Sequence, residues 1–304
     1  MMDESTRIQR MRFPDHPVDV VMDTDTFNEI DDQFALAYML ESQEKLKVKA
    51  INAAPFFNSH STSPEDGMLR SYDEILHVLK LLGMEQFNDF VYQGSSTFLP
   101  DEKTPVESPA AQNLVKLARQ QDAEKPLYVI ALAAITNIAS ALLIDPSIRE
   151  KIVVVWLGGN SYTWPNNKEF NLFQDIAAAR VVFDSGVPVI QLPCMGVVSE
   201  LRTTGPELRF WLKDENAFCD YLVDITYKEA LLNNQGDYWS RAIWDVAAVA
   251  WLLDEKFELS RLEASPICQY DNHYSFDHCR PLIRYVYWVD RDRIFADLFT
   301  KLSK

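Results

Sequence analysis

Two short segments of this chain are apolar at every position, and they constrain its fold more than any other feature. They are Tyr128–Leu132 and Ile152–Trp156. A strand that is apolar throughout has no face to offer to solvent, as is typical of the central strands of a parallel sheet covered by helices on both sides. The sequence therefore predicts a sheet whose two faces are both buried.

Strand-like and helical patterns alternate through the first two thirds of the chain. The predicted strands are Val18–Met22, Val48–Ala54, Phe90–Gln93, Leu127–Ala133, Lys151–Leu157 and Val187–Leu192. The helices predicted between them are Asp31–Ser42, Gly67–Leu82, Ala110–Gln121, Asn137–Leu143 and Asp175–Ser185. This alternation predicts a largely parallel sheet flanked by helices.

After Pro193 the pattern changes to helices followed by short strands. The helices are predicted at Pro206–Lys213, Ala217–Leu232, Ala242–Leu253 and Arg291–Leu302, and the strands at Pro266–Tyr270 and Ile283–Val289. No repeat or low-complexity linker interrupts the chain. We therefore expect one domain over residues 1–304: an α/β fold with an open, mostly parallel sheet, a Rossmann-like core, and a helical and short-strand C-terminal part, irregular or antiparallel in its strands.

The charge balance excludes some classes of partner. The chain has 29 basic and 45 acidic residues, a net charge of −16, which argues against nucleic acid or an anionic membrane. The four cysteines, at positions 194, 219, 268 and 279, show no CxxC spacing and are expected to be reduced thiols. The first sixteen residues lack the apolar core of a secretory signal, so a cytoplasmic protein is expected.

An acidic loop joins the first predicted strand to the first predicted helix. Five carboxylates fall within ten positions, at Asp23, Asp25, Glu29, Asp31 and Asp32. So many carboxylates repel one another at neutral pH unless a cation lies among them, and oxygen ligands favour Ca²⁺ or Mg²⁺. The sequence alone leaves a second interpretation open, in which the loop is a solvated turn with Asn28 or Asp31 capping the helix.

A second carboxylate stands out in the apolar segment Ala242–Leu253. Asp245 is the only ionisable residue there, and an unpaired carboxylate in a buried helix is costly. A bound cation would remove that cost. The alternative is that Asp245 caps the start of the helix, where a negative charge is favourable.

Polar groups follow two further strands at the same predicted edge of the sheet. Thr136 and Asn137 come after the strand that contains Leu132, whose carbonyl could ligate a metal. Asn160 follows the next strand, and Glu169 and Asn171 come shortly after it. Amide and carboxylate groups of this kind suit the hydroxyls of a sugar.

Taken in order, these segments resemble the nucleoside hydrolases, the inosine/uridine-preferring N-ribohydrolases. The family motif DxDPGxDD is matched by Asp23-Thr24-Asp25 and Asp31-Asp32, with a loop two residues longer than usual. The motifs GPLTN, MGG, AEFN and HD are similar to residues 133–137, 157–159, 168–171 and 244–245. The resemblance runs from about Asp19 to the last helix.

The resemblance implies a calcium-dependent enzyme that hydrolyses the N-glycosidic bond of a ribonucleoside to ribose and free base. It implies Ca²⁺ held by Asp25, Asp32, the Leu132 carbonyl and Asp245, with Asp25 also taking the proton of the attacking water. It implies ribose contacts from Asp31, Asn171 and Asp245 to the 2′- and 3′-hydroxyls, and from Glu169 and Asn160 to the 5′-hydroxyl. Asn58 stands near a ribose-contacting Asn of the family. A homo-oligomer, a dimer or a tetramer, is also expected.

The departures from the family concern the base of the nucleoside. Many members have His before the last metal-binding Asp and another His after the third strand. Here the first position is Trp244, and Ser95–Pro100 contains no His. The purine-preferring branch of the family also has Trp at the first position, so Trp244 predicts stacking on a purine. The alternative is one more core aromatic on an apolar segment.

Two other functions remain open at this stage. The run Met22–Thr26 fits the DxDxT motif of a haloacid-dehalogenase-type phosphatase, with Asp23 as the nucleophile and Asp25 as the acid/base. A nucleoside- or sugar-binding protein that has lost turnover would also fit the missing histidines.

Overall fold

The strands of the fold follow the predicted alternation closely in the first two thirds of the chain. A computed structural model describes residues 2–122, 124–232 and 238–304. Its strands are β1 Val18–Thr24, β2 Leu46–Ala53, β3 Val91–Gln93, β4 Leu127–Ala131, β5 Ile152–Leu157, β6 Val189–Leu192, β7 Arg202–Thr204, β8 Ser240–Ala242, β9 Glu258–Ala264, β10 Ile267–Cys268, β11 Tyr274–Ser275 and β12 Leu282–Val289.

Helices separate most of these strands along the chain. They are α1 Glu4–Arg10, α2 Asp31–Leu40, α3 Pro64–Leu81, α4 Pro109–Gln120, α5 Thr136–Ile144, α6 Phe170–Gln174, α7 Ile176–Asp184, α8 Gly205–Leu212, α9 Ala217–Leu232, α10 Val246–Ala250 and α11 Arg291–Leu302. Short 3₁₀ helices lie at Glu85–Phe90, Pro146–Glu150 and Val198–Glu200. Among the helices described here, none is both long and apolar enough to cross a membrane.

The central sheet has eight strands in the order β3-β2-β1-β4-β5-β6-β12-β9. Every neighbouring pair in it is parallel except β12 and β9 at one edge. This confirms the predicted single-domain α/β fold with an open, mostly parallel sheet. The strand order reverses between β1 and β4, and such a switch point leaves a crevice at the carboxyl ends of the strands where ligands bind.

The two faces of the sheet are covered by separate apolar clusters, which explains the uninterrupted apolar strands. Met22 and Ile130 point into one cluster, whereas Val21 and Val129 point into the other. Successive side chains of a strand alternate between faces, so both sets must be apolar when both faces are covered. All six residues of β5 are buried for this reason.

Helix α3 begins three residues earlier than the predicted Gly67. The side chain of Ser63 accepts a hydrogen bond from the backbone N–H of Asp66 at 3.1 Å, and Pro64 occupies the first turn. A serine cap followed by proline is a common start for a helix, because proline has no N–H to leave unpaired there. The helix α1 was not predicted.

The prediction of one long helix over Ala242–Leu253 is wrong. Ser240–Ala242 forms β8, which pairs antiparallel with β7, and the helix α10 covers only Val246–Ala250. The backbone N–H of Trp244, just before this helix, donates to the Asp31 side chain at 2.9 Å. The apolar composition correctly indicated burial, which does not by itself specify helix length.

The strand predicted at Pro266–Tyr270 is also wrong. Only Ile267–Cys268 is extended, and it pairs with β11 outside the main sheet. The antiparallel partner of β12 is instead β9, which was not predicted. An edge strand buries neither face completely and therefore lacks a regular apolar pattern. The exposure of β9 accordingly shows no alternation, since its central residues Arg261 and Leu262 are both exposed.

Gly94 lies where the chain after β3 passes close to β2 and α5. A Cβ atom at this position would lie 2.0 Å from the Ala53 carbonyl oxygen and 2.5 Å from Asn137 Nδ2. We expect Gly94→Ala to lower the free energy of unfolding by about 1–3 kcal/mol, because backbone and a buried amide must move apart. Urea unfolding measures this change, and an unaltered midpoint would contradict the close packing.

Candidate active site

A cavity of about 250 Å³ opens at the carboxyl edge of the sheet, at the crevice beside β1 and β4. The loop after β1 and the first turn of α2 supply one wall, and the segments after β4 and β5 supply the other. Its lining includes the predicted residues Asp25, Asp31, Asp32, Leu132, Asn160, Glu169, Asn171, Trp244 and Asp245. Nine of the ten predicted site residues therefore meet at one place, although they come from distant parts of the chain.

Four buried aspartates form the floor of this cavity. One carboxylate oxygen from each of Asp31, Asp32 and Asp245 lies within 4.8 Å of the others. The fourth, Asp25, is buried, and its Oδ2 has no hydrogen-bond partner among the described residues. A buried carboxylate oxygen without a donor is costly unless a cation satisfies it.

The electrostatics of the cluster also favour a cation. Burial raises the pKa of Asp31 to about 8 and that of Asp32 to about 6, and repulsion from neighbouring carboxylates adds to both shifts. Burial and the same repulsion raise the pKa of Asp25 and Asp245 well above the ordinary value. A divalent cation would reverse these shifts, and an all-oxygen donor set suits a hard ion. The aspartate cluster therefore fits a metal ion.

The carbonyl of Leu132 lies where β4 ends at the cavity. It accepts a hydrogen bond from Asn171 Nδ2 at 2.9 Å, and the same amide nitrogen donates to the Leu157 carbonyl at 3.0 Å. A carbonyl oxygen has two lone pairs, so one remains for a ligand in the cavity. These two hydrogen bonds fix the orientation of the Asn171 side chain at the cavity.

Glu169 is fixed by backbone donors. Its carboxylate accepts from the N–H groups of Gly159 at 2.7 Å, Asn171 at 2.9 Å and Leu172 at 3.0 Å. Burial raises its pKa, and the three backbone hydrogen bonds oppose that rise. The residue thus caps α6 and holds the loop after β5 in place while facing the cavity.

Asn160 has its side chain engaged within the same loop. Its amide nitrogen donates to the Asn166 carbonyl at 3.1 Å, and its oxygen accepts from the Met195 backbone at 3.2 Å. It forms part of the cavity wall, and its contact with a 5′-hydroxyl stays a prediction.

Asn58 does not line the cavity. Its amide nitrogen donates to Asn28 Oδ1 at 2.6 Å, so Asn58 lies one layer behind Asn28, which does line the cavity. From the sequence, Asn28 is predicted only as a possible helix cap. Asn28 lies in a loop that is two residues longer than the family pattern, and this difference could have identified it as a candidate cavity residue.

The loop that contains the extra residues also shapes the mouth of the cavity. Glu29 lines it and forms an ion pair with Arg241 of β8. Trp244 lines the same cavity and is partly exposed. Within the described residues, no histidine contributes to the lining. His60 lies in an adjacent groove, where its ring contacts the Asn28 carbonyl at 2.8 Å.

Asp23 lies beneath the cavity. It is fully buried and accepts from Asn137 Nδ2 at 2.9 Å, and burial raises its pKa to about 7. The phosphatase alternative requires Asp23 to attack a substrate, but the residue does not line the cavity. The geometry thus disfavours that alternative.

Comparison with known proteins agrees with the site. The model of the family described as inosine-uridine preferring nucleoside hydrolase matches residues 20–294. The pyrimidine-specific ribonucleoside hydrolase RihA of Enterobacter sp. (strain 638) is 35% identical over 97 residues, which cover 31% of this chain and 29% of that relative. RihA of Salmonella schwarzengrund (strain CVM19633) is 24% identical over 243 residues, covering 73% of this chain and 76% of that relative.

The fold is also similar to solved structures. A purine-preferring ribonucleoside hydrolase from Gardnerella vaginalis superposes with a TM-score of 0.75 at 20% sequence identity, covering 94% of this chain and 98% of that one. Because the sequence identity is only 20%, this similarity shows a shared fold alone.

Proposed function

Because the chain belongs to the inosine-uridine preferring nucleoside hydrolase family, whose members are ribonucleoside N-glycosyl hydrolases, we propose that it hydrolyses purine ribonucleosides to ribose and free base with bound Ca²⁺. The observation that carries the proposal is the buried cluster of Asp25, Asp31, Asp32 and Asp245 at the floor of a cavity lined by amides and a tryptophan. We further propose that it acts as a cytoplasmic homo-oligomer. Its four cysteines are free thiols, which suits a reducing compartment.

Asp25, Asp32, Asp245 and the Leu132 carbonyl would hold the ion. When bound, a divalent cation supplies a polarised water whose pKa is lowered. Asp25 lines the same cavity and its Oδ2 has no donor among the described residues, so Asp25 is the candidate acceptor of the proton of the attacking water.

The ribose would be oriented by the polar wall of the cavity. Asp31 and Asn171 are candidates for its 2′- and 3′-hydroxyls, and Glu169 for its 5′-hydroxyl. Cleavage of an N-glycosidic bond passes through an oxocarbenium-like state, and holding the sugar for in-line attack lowers the barrier. Each turnover consumes one water, which gives its hydroxyl to the sugar and its proton to the departing base.

A release assay over a nucleoside panel tests the proposal. Inosine, guanosine, adenosine, uridine and cytidine are each incubated with Ca²⁺ and with a chelator, and free base is measured. Release of purines with Ca²⁺ and loss of release with chelator is the expected result. Binding of nucleosides without release of any base would instead favour the non-catalytic binding protein.

No histidine among the described residues lines the cavity, and the dependence of the rate on the leaving group should show the consequence. General acid catalysis typically contributes about 10²–10⁴-fold, so a substrate with a poor leaving group loses most. We expect nitrophenyl riboside to be cleaved at least about 100-fold faster than uridine.

Trp244→Ala should lower kcat/KM for inosine by about tenfold through lost stacking, and Trp244→Phe should recover most of it. Efficient uridine turnover that Trp244→Ala leaves unchanged would contradict this assignment.

A further inference from the structure

Glu29 differs from the four aspartates of the cavity in its exposure. Its side chain is 43% exposed, whereas the aspartates are buried. It lines both the cavity and the adjacent groove that contains His60. Glu29 therefore lies at the mouth of the cavity, while the aspartates lie at its floor.

The charge of Glu29 is balanced by the protein itself. Its Oε2 accepts a hydrogen bond from Nη2 of Arg241. Glu29 does not belong to the group of carboxylates whose oxygens lie within 4.8 Å of one another. Its second oxygen, Oε1, accepts no hydrogen bond from the residues that the structure describes. One anionic acceptor at the mouth thus remains for a ligand other than the ion.

The hairpin that carries Arg241 also leads to the tryptophan of the cavity. Arg241 lies on β8 opposite Thr203 of β7, and Trp244 follows three residues later. The Trp244 backbone N–H donates to Asp31, which comes two residues after Glu29. The hairpin and the loop after β1 are therefore joined by two contacts. These contacts hold the Glu29 carboxylate and Trp244 at the same cavity.

A purine bound in this cavity would present its six-membered ring to the mouth. This step rests on the proposed function, in which the ion and the ribose occupy the floor and the base stacks on Trp244. Stacking uses the faces of the base and leaves the N–H groups at its edge unpaired. The edge farthest from the ribose carries the 6-amino group of adenine, or the N1–H of hypoxanthine and guanine. A carboxylate oxygen is a strong acceptor for such a donor.

We propose that Oε1 of Glu29 accepts a hydrogen bond from this N–H group, and that the enzyme thereby selects purine ribonucleosides with a donor on the six-membered ring. Glu29 is then a specificity-determining residue, supplied by the loop that is two residues longer than the family pattern. Arg241 is its positioning residue. Purine riboside has neither a 6-amino group nor an N1–H, so it leaves Oε1 without a partner on the base.

This contact should act on substrate binding and not on the chemical step. A hydrogen bond to a carboxylate increases the electron density on the base, whereas the departing base must accept the electrons of the glycosidic bond. The contact therefore adds no stabilisation that is specific to the transition state. Its loss should raise KM without lowering kcat. An ion pair with a purely structural role would instead affect all nucleosides equally.

Adenosine and purine riboside test the proposal, because they differ only in the amino group at position 6. The quantity compared is KM for purine riboside divided by KM for adenosine, measured by release of the base with Ca²⁺. Glu29→Met keeps the length of the side chain but removes the acceptor, and it should lower this ratio by about tenfold. Glu29→Gln keeps a carbonyl oxygen and should recover part of the ratio. Comparing the ratio between variants cancels the difference in reactivity between the two glycosidic bonds.

Glu65→Met, on the exposed side of α3, is the matched control and should leave the ratio unchanged. Glu29→Ala gives the same comparison as Glu29→Met should the latter fail to fold. If the parent chain binds nucleosides without cleaving them, calorimetry gives the ratio from Kd values, which separates failure of hydrolysis from failure of this contact. A parental ratio in the folded variants, or KM raised by the same factor for both nucleosides, would overturn the proposal. A parent chain that neither cleaves nor binds either nucleoside would overturn the proposed function and this contact together.

Discussion

Asp25→Asn is expected to abolish nucleoside hydrolysis, with kcat lowered by about 10³–10⁴-fold. Asparagine has nearly the same volume, but it cannot accept the proton of the attacking water. It also replaces a buried anionic oxygen that has no donor in the described structure with a neutral amide. Steady-state release of hypoxanthine from inosine measures the loss, and circular dichroism checks that the fold is retained.

Asp23→Asn is the matched control for this change. Asp23 lies on β1, two residues before Asp25, but it contacts Asn137 beneath the cavity. An asparagine there can still accept that hydrogen bond, so kcat should fall by no more than a few fold. Full activity in Asp25→Asn, or an equal loss in Asp23→Asn, would contradict the assignment of Asp25.

Asp32→Asn is expected to remove the bound cation and turnover together. Thr24 donates its hydroxyl to the Asp32 side chain, and asparagine keeps an oxygen to accept it, so the local fold should persist. Ca²⁺ at 100 times its Kd should stabilise the parent by about 2.7 kcal/mol, and this gain should be absent in the variant. Metal content after dialysis and thermal unfolding with and without Ca²⁺ measure both effects.

The same variant should be more stable than the parent when a chelator is present. Four carboxylates lie together at the floor of the cavity, and removing one charge relieves repulsion that no cation then offsets. Asp73→Asn, on the exposed side of α3, is the control and should change neither metal content nor Tm. Parental metal content in Asp32→Asn, or a lower Tm than the parent in chelator, would contradict the cluster as a cation site.

The central strands and the acidic part of the site could be predicted because their signals are local. The apolar residues of β4 and β5 are contiguous in the sequence and all lie in the core. The topology then brings the strand ends together, which is why Leu132 and Asn171 meet although 39 positions separate them. Because the strands are parallel, their carboxyl ends lie at the same edge of the sheet, and this is enough to predict that the two segments meet.

The remaining features depend on tertiary contacts that leave no pattern in the sequence. β9 is an edge strand whose residues are exposed on both faces, so it lacks the alternation that marks a strand. The helix that follows Trp244 begins only at Val246, after a short strand that pairs with β7, and the helix propensity of the segment does not contain information about that contact. Asn28 lines the cavity, whereas Asn58 contacts the Asn28 side chain and does not line it, and this difference depends on how the loop after β1 folds.

The hydrogen bond between Trp244 and Asp31 spans 213 positions of the chain, and it has a consequence for biosynthesis. Three of the four aspartates are translated near the beginning, whereas Asp245 follows more than two hundred residues later. Contacts of such long range form late in folding because a large loop must close first. The cluster of aspartates therefore cannot be complete until Asp245 has been translated and has packed beside Asp31 and Asp32.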